Sequence, residues 1–140
     1  MDIKIAATAD DISKCCDVLK ELRPHLERDQ FVAMVQEMIA EGYNLAFIEE
    51  QDIAVAAIGF RYLQFLFNGK HIYIDDLSTL PSHRAKGLAG QLLDYVSDLA
   101  ESMGYNAVTL DSGYQRLAAH RLYLNKGFNL SSHHFSKQIR

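Results

Sequence analysis

The sequence predicts an α+β (mixed α/β) fold in a single domain spanning residues 1–140, with a central mixed, mostly antiparallel sheet flanked by about four helices. Three observations lead there. Apolar runs joined by tight-turn residues fill the middle of the chain, runs with helical spacing stand on either side of them, and a strand–helix–strand passage follows. A length of 140 residues suits one domain of roughly 100–150 residues. Hydrophobic residues make up 49% and charged residues 23%, a composition that fills a core and excludes intrinsic disorder.

The elements follow in order. Ile3, Ile5 and Ala7 alternate with Asp2, Lys4 and Ala6 as a short strand, and Thr8-Ala9-Asp10-Asp11 resembles a capping box that starts a helix. Ile12, Cys15, Cys16, Leu19 and Leu22 fall at helical spacing, which puts both thiols on or beside the buried face. Pro24 ends that helix. Phe31, Met34, Val35, Met38 and Ile39 make a second apolar stripe, closed by Gly42. Asn44 to Glu50 and Ile53 to Phe67 read as strands joined by Glu50-Gln51-Asp52, and Asn68-Gly69 is a hairpin signal leading into a third strand, Lys70 to Leu80. These three form an antiparallel meander. Leu88, Leu92, Leu93, Val96, Leu99, Ala100 and Met103 then make a helix stopped by Gly104. A helix between two strands implies that Ala107 to Asp111 pairs in parallel with the strand before it. A last helix runs from about Gln115 to Lys126, and the tail Asn129 to Ile139 is expected as a final strand.

The net charge of −4 supplies no global basic field, so nucleic acid is not an expected partner. The longest apolar run, Ile53 to Phe60, is far short of the ~20 residues of a membrane helix, and the first residues do not read as a signal peptide. A cytoplasmic protein with no membrane partner is expected. Adjacent Cys15 and Cys16 match no metal-ligand spacing, nor do His25, His71, His83 and His120, and adjacent His133 and His134 on a strand would face opposite ways. No metal is expected. Ser112 lacks a nucleophile elbow.

The stretch that carries chemistry is Pro81-Ser82-His83-Arg84-Ala85-Lys86-Gly87-Leu88-Ala89-Gly90, where a strand turns into a helix over small residues. Unpaired N–H groups at a helix start attract anions, and a glycine lets a phosphate come close. Arg84 and Lys86 add local positive charge. The stretch is neither a G-x-x-x-x-G-K-S/T loop nor a full G-x-G-x-x-G fingerprint, which argues against nucleotide hydrolysis and hydride transfer.

Arg84-x-x-Gly87-x-Ala89, placed after a strand ending Leu77-Ser78-Thr79-Leu80-Pro81, resembles the acetyl-coenzyme A signature Q/R-x-x-G-x-G/A of the GNAT family of N-acetyltransferases. Downstream, Ala118-Ala119-His120-Arg121-Leu122-Tyr123-Leu124-Asn125-Lys126-Gly127-Phe128 resembles that family's second motif, a helix carrying a tyrosine and ending in Gly-Phe. The element order matches as well, so the resemblance covers nearly the whole chain.

The resemblance implies acetyl-coenzyme A as co-substrate. Its pyrophosphate would lie on Arg84, Ala85, Lys86, Gly87, Leu88, Ala89 and Gly90, and its pantetheine arm along the strand edge Leu77, Ser78 and Thr79. Tyr123 would be the general acid for the departing thiolate, a role that suits a phenol with a reference pKa of about 10. Asp75 falls where related diamine acetyltransferases place an acidic residue facing the amine, and would orient that amine or pass its proton through water. Simple alternation puts Tyr73, Asp75 and Leu77 on one face of the strand and Asp76 on the other. The implied reaction is direct attack of a primary amine of a small molecule on the thioester. Glu27, Asp29 and Asp75, if they converge, would suit a polyamine-like or other cationic acceptor. The alternatives are a non-catalytic acyl-coenzyme A sensor of the same fold and an enzyme acting on protein or peptide amines. The tail is short for that family's usual two terminal strands, so either the last strand is missing or a second copy completes the sheet as a homodimer at the C-terminal strand edge.

Overall fold

A computed structural model describes all 140 residues. They divide into two compact units, residues 1–110 and 111–140. The first unit holds a five-stranded sheet in the order β1 (Lys4–Ile5), β2 (Tyr43–Glu50), β3 (Ile53–Phe65), β4 (Gly69–Thr79) and β5 (Ala107–Leu110). Every neighbouring pair is antiparallel except β4–β5, which is parallel as the intervening helix requires. The turns supply the chirality. Gln51 and Asp52 both adopt left-handed backbone (φ 53° and 70°), which matches a two-residue hairpin to the twist of β2 and β3, and Gly69, left-handed at φ 71°, opens β4 after the three-residue loop from β3.

Register sorts the strand residues onto two faces. Tyr43, Leu45 and Phe47 of β2 stand opposite Arg61, Gly59 and Ala57 of β3, so these six share one face. On that face pack α1 (Ala9–Lys14), α2 (Cys16–Leu22) and α3 (Arg28–Ala40), whose Ile12, Cys15, Cys16, Val18, Leu19, Phe31 and Val35 join Tyr43, Leu45, Phe47 and Ala57 in one core. The other face carries Ala46, Ile48, Ile58, Phe60, Ile72 and Ile74, and the amphipathic α4 (Leu88–Ser102) lies on β3, β4 and β5. Phe31, Phe47 and Phe60 are fully buried, and removing each such side chain from water contributes about 1.5–3 kcal/mol.

Thr8 caps the first helix as the sequence predicts, its Oγ1 accepting the Asp11 N–H at 3.1 Å. The single helix expected up to Leu22 is divided at Cys15, whose N–H reaches back three residues to Ile12 at 3.0 Å, the tighter bond of a 3₁₀ turn. Burial pushes the Cys15 thiol up to about 12, which leaves it protonated and unreactive at neutral pH.

In the second unit, α5 (Leu117–Asn125) ends at Gly127 with φ 90°, and the Phe128 N–H returns to the Tyr123 carbonyl at 3.0 Å. The final strand expected over Asn129 to Ile139 is not formed: residues 129–140 have no helix or strand. The physical reason lies in spacing. The apolar residues Leu130, Phe135 and Ile139 recur every four or five positions instead of every second one, so an extended tail would present no apolar face. The last strand is thus missing, and β5 is left as an edge of the sheet.

Candidate active site

The informative irregularity lies in β4. Gly59 stands opposite Asp76 while the next residue, Phe60, stands opposite Ile74, so Asp75 is the extra residue of a β-bulge. Alternation is broken there. Tyr73, opposite Arg61, and Asp76, opposite Gly59, share the face covered by α1–α3, and Leu77 takes the other face with Ile74. This corrects the expected grouping of Tyr73 and Leu77 on one face with Asp76 opposed: a bulge inserts one residue and inverts the parity of every position after it.

The two carboxylates consequently have different surroundings. Asp75 accepts from Arg61 Nε at 2.8 Å through one oxygen, and its other oxygen is buried without a hydrogen-bond partner. Burial raises its pKa against the opposing pull of Arg61. Asp76 accepts from the Tyr43 hydroxyl at 2.8 Å and from Arg23 Nε at 3.2 Å, while Arg23 Nη2 donates to the Asp75 carbonyl at 3.1 Å. Arg61 completes the group, stacked 5.3 Å from the centre of the Tyr43 ring. Burial first and the Asp76 charge second hold the Tyr43 phenol well above its usual pKa, so it serves Asp76 as a fixed donor.

Gly59 makes this arrangement possible. A Cβ at that position would lie 1.8 Å from the Tyr43 hydroxyl and 2.3 Å from its ring carbon Cζ, so only glycine lets the ring cross β3 to reach Asp76. Neither Tyr43 nor Gly59 was singled out from sequence. A lone glycine inside the apolar run Ile53 to Phe60 was the available signal, since such a glycine marks a bulge or a close approach.

Asp76, Tyr43 and Arg23 open on a cleft of about 370 Å³ whose other walls are Leu19, His25, Leu26, Phe31, Met34, Val35 and Met38. The cleft thus forms at the α2–α3 junction. Glu27 and Asp29 are exposed and do not line it, and Asp75 is turned to Arg61, so the three acidic residues considered for a polycation do not converge. No three His, Cys, Asp or Glu side chains lie together as a metal site.

Beyond the bulge, β4 loses its parallel partner. Pairing with β5 stops at Ile74–Leu110, so no strand pairs with the β5-facing side of Asp75 to Thr79. Ser78 fixes this segment from behind, its buried hydroxyl donating to the Val18 carbonyl at 2.7 Å. After Thr79 a 3₁₀ turn, Pro81–His83, leads to Arg84, which donates to the Thr79 carbonyl at 3.3 Å and lies 3.6 Å from Glu21. Ala85 and Gly87 are both left-handed (φ 62° and 79°), and Gly87 is the N-cap of α4. The first N–H groups of that helix have no intrahelical acceptor and carry its positive end. Space beside Gly87 is open, with nothing within 4 Å of where a Cβ would stand, which fits the close approach of a diphosphate.

Tyr123 and His120 lie in the second unit. Burial raises the Tyr123 pKa, its ring sits 5.9 Å from that of Phe128, and His120 Nε2 is 3.1 Å from the Ser112 hydroxyl. His120 is thus occupied with Ser112.

The loop into α4 stands where the sequence resembles the family's signature, and comparison with known proteins shows that family. The model of the acetyltransferase (GNAT) family matches residues 9–128. The uncharacterized N-acetyltransferase YhdJ of Bacillus subtilis is 35% identical over 124 residues, covering 87% of each chain. The aminoalkylphosphonate N-acetyltransferase of Salmonella typhimurium is 29% identical, over 89% of this chain and 80% of that one. Among solved structures, aminoglycoside N-acetyltransferase AAC(6')-Iy in complex with a bisubstrate analog superposes with a TM-score of 0.82 at 17% identity, over 99% of this chain and 97% of that one. The chain belongs to the GNAT family and is an acetyl-coenzyme A-dependent N-acetyltransferase. No helix is long and apolar enough to cross a membrane.

Proposed function

We propose that the chain acetylates the primary amine of a small molecule seated in the cleft between α2, α3 and β4, by direct attack while both substrates are bound. The observation that carries this reading is Asp76: it is the sole carboxylate among the lining residues, and Tyr43 and Arg23 fix its direction. Acetyl-coenzyme A supplies the activated thioester carbonyl. The backbone of Arg84 to Gly90 would hold its diphosphate, and the unpaired side of Leu77 to Thr79 would hold its pantetheine amides.

Asp76 keeps acceptor capacity beyond its two donors, since a carboxylate offers about four lone-pair sites, and accepts a hydrogen bond from the amine. This assigns to Asp76 the orienting role expected of Asp75, whose charge is committed to Arg61. Arg23 and the apolar walls disfavour an ammonium ion in the cleft, which works against the attraction of Asp76 for the charged form and assists deprotonation of the bound amine. Tyr123 is the proposed acid: its raised pKa keeps it protonated, ready to neutralise the departing thiolate.

Two variants test these assignments. Tyr123→Phe is expected to bind acetyl-coenzyme A normally and lose about 10²-fold in kcat, measured by thiol release; an unchanged kcat removes the acid role. Gly87→Ala places a Cβ in open space at positive φ, so the stability cost is only about 1–2 kcal/mol. Coenzyme A affinity should nonetheless fall at least tenfold by calorimetry, because that space is where the diphosphate lies. Unaltered affinity would place the diphosphate elsewhere.

A further inference from the structure

Resting on the reading that the cleft seats the acceptor, we infer that the acceptor is a monoamine with an apolar body, an alkylamine or arylalkylamine, and not a polycation or an amino acid-like zwitterion. The cleft has one polar spot. Tyr43, Asp76 and Arg23 are bonded to one another and so cluster together, whereas Leu19, Leu26, Phe31, Met34, Val35 and Met38 supply the remaining wall apart from the exposed His25. An ammonium or amine has a partner only at Asp76. A second ammonium would face apolar carbon without a carboxylate, giving up its hydration for nothing. An anionic group fares little better: Arg23 keeps donors beyond its two bonds, but its charge is offset by Asp76, and a second anion would have to lie beside that carboxylate.

Size points the same way. A cleft of about 370 Å³ lies at the lower end of the ~300–1,000 Å³ typical of ligand pockets, too small to enclose a multi-ring aminosugar. Two flexible methionines in the wall, Met34 and Met38, can repack around chains or rings of different shape. Apolar walls therefore select by chain length and not by hydrogen-bond pattern.

The test is a set of initial rates of thiol release at saturating acetyl-coenzyme A for butylamine, hexylamine, 2-phenylethylamine, spermidine and 2-aminoethylphosphonate. The expected kcat/KM rises several-fold from butylamine to hexylamine, and hexylamine and 2-phenylethylamine exceed spermidine and 2-aminoethylphosphonate by at least tenfold. Met34 is partly exposed, so Met34→Glu should fold normally and swing the preference toward spermidine by at least tenfold, with coenzyme A binding unaltered by calorimetry. A wild-type preference for spermidine or 2-aminoethylphosphonate overturns the inference while leaving an amine acetyltransferase. Thiol release from none of the five, with coenzyme A bound, overturns the seating of small amines in the cleft as well.

Discussion

Gly59→Ala is expected to be among the most damaging single substitutions in the chain, lowering unfolding free energy by about 3 kcal/mol and Tm by roughly 10 °C. The new methyl would lie 1.8 Å from the Tyr43 hydroxyl and 2.6 Å from its ring carbon Cε1, so the buried ring must move. Forcing extra volume into a packed site costs about 1–3 kcal/mol, and losing the Tyr43–Asp76 hydrogen bond to a charged partner about 1.5–3 kcal/mol more, partly shared with that displacement. Truncating the hydroxyl alone does not relieve the contact, because the ring carbons also intrude. The check is a double-mutant cycle by chemical denaturation. Gly59→Ala should cost less than about 1 kcal/mol in a Tyr43→Ala background, and simple additivity would show that the ring is not what the glycine accommodates.

Asp76→Asn is expected to lower kcat/KM for the amine by about 10²-fold, equivalent to roughly 2.7 kcal/mol of transition-state stabilisation, with the Kd for acetyl-coenzyme A within twofold of wild type. The amide keeps one acceptor for Tyr43 but presents donors where the amine must donate, and it leaves Arg23 uncompensated. Asp75→Asn should behave differently. Burial already disfavours the charged form of Asp75, so removing the charge recovers part of what the lost Arg61 ion pair costs, and kcat/KM should fall less than tenfold. Measured in parallel, the reverse order of effects would assign the amine to Asp75.

Much of the fold was legible because it rests on local signals. The Thr8 cap, the helical spacing of Leu88 to Ala100, the Asn68-Gly69 hairpin and the loop at Gly87 each depend on residues near in sequence, and each is found where those residues stand. The chemistry of the cleft was not legible, because it depends on register. Whether Asp75 or Asp76 faces the helices is decided by one inserted residue against β3, and nothing in Tyr73-Ile74-Asp75-Asp76-Leu77 announces the insertion. Its partner across the strands, Gly59, carried the only trace. Tyr43 falls between Gly42, which closes the second apolar stripe, and the strand read from Asn44, so nothing local marks it as a donor to Asp76. The tail misled through length alone, its sparse apolar residues lacking the period of a strand.

The central claim is that cleft and loop hold amine and acetyl-coenzyme A together, with no acyl-enzyme between them. Cys15 and Cys16, the chain's only thiols, are buried, which argues against an acyl group carried on cysteine. A grid of initial rates with hexylamine varied at several fixed concentrations of acetyl-coenzyme A tests this most directly. Intersecting reciprocal plots are the predicted result, whereas parallel lines, the ping-pong pattern of a covalent intermediate, would contradict it.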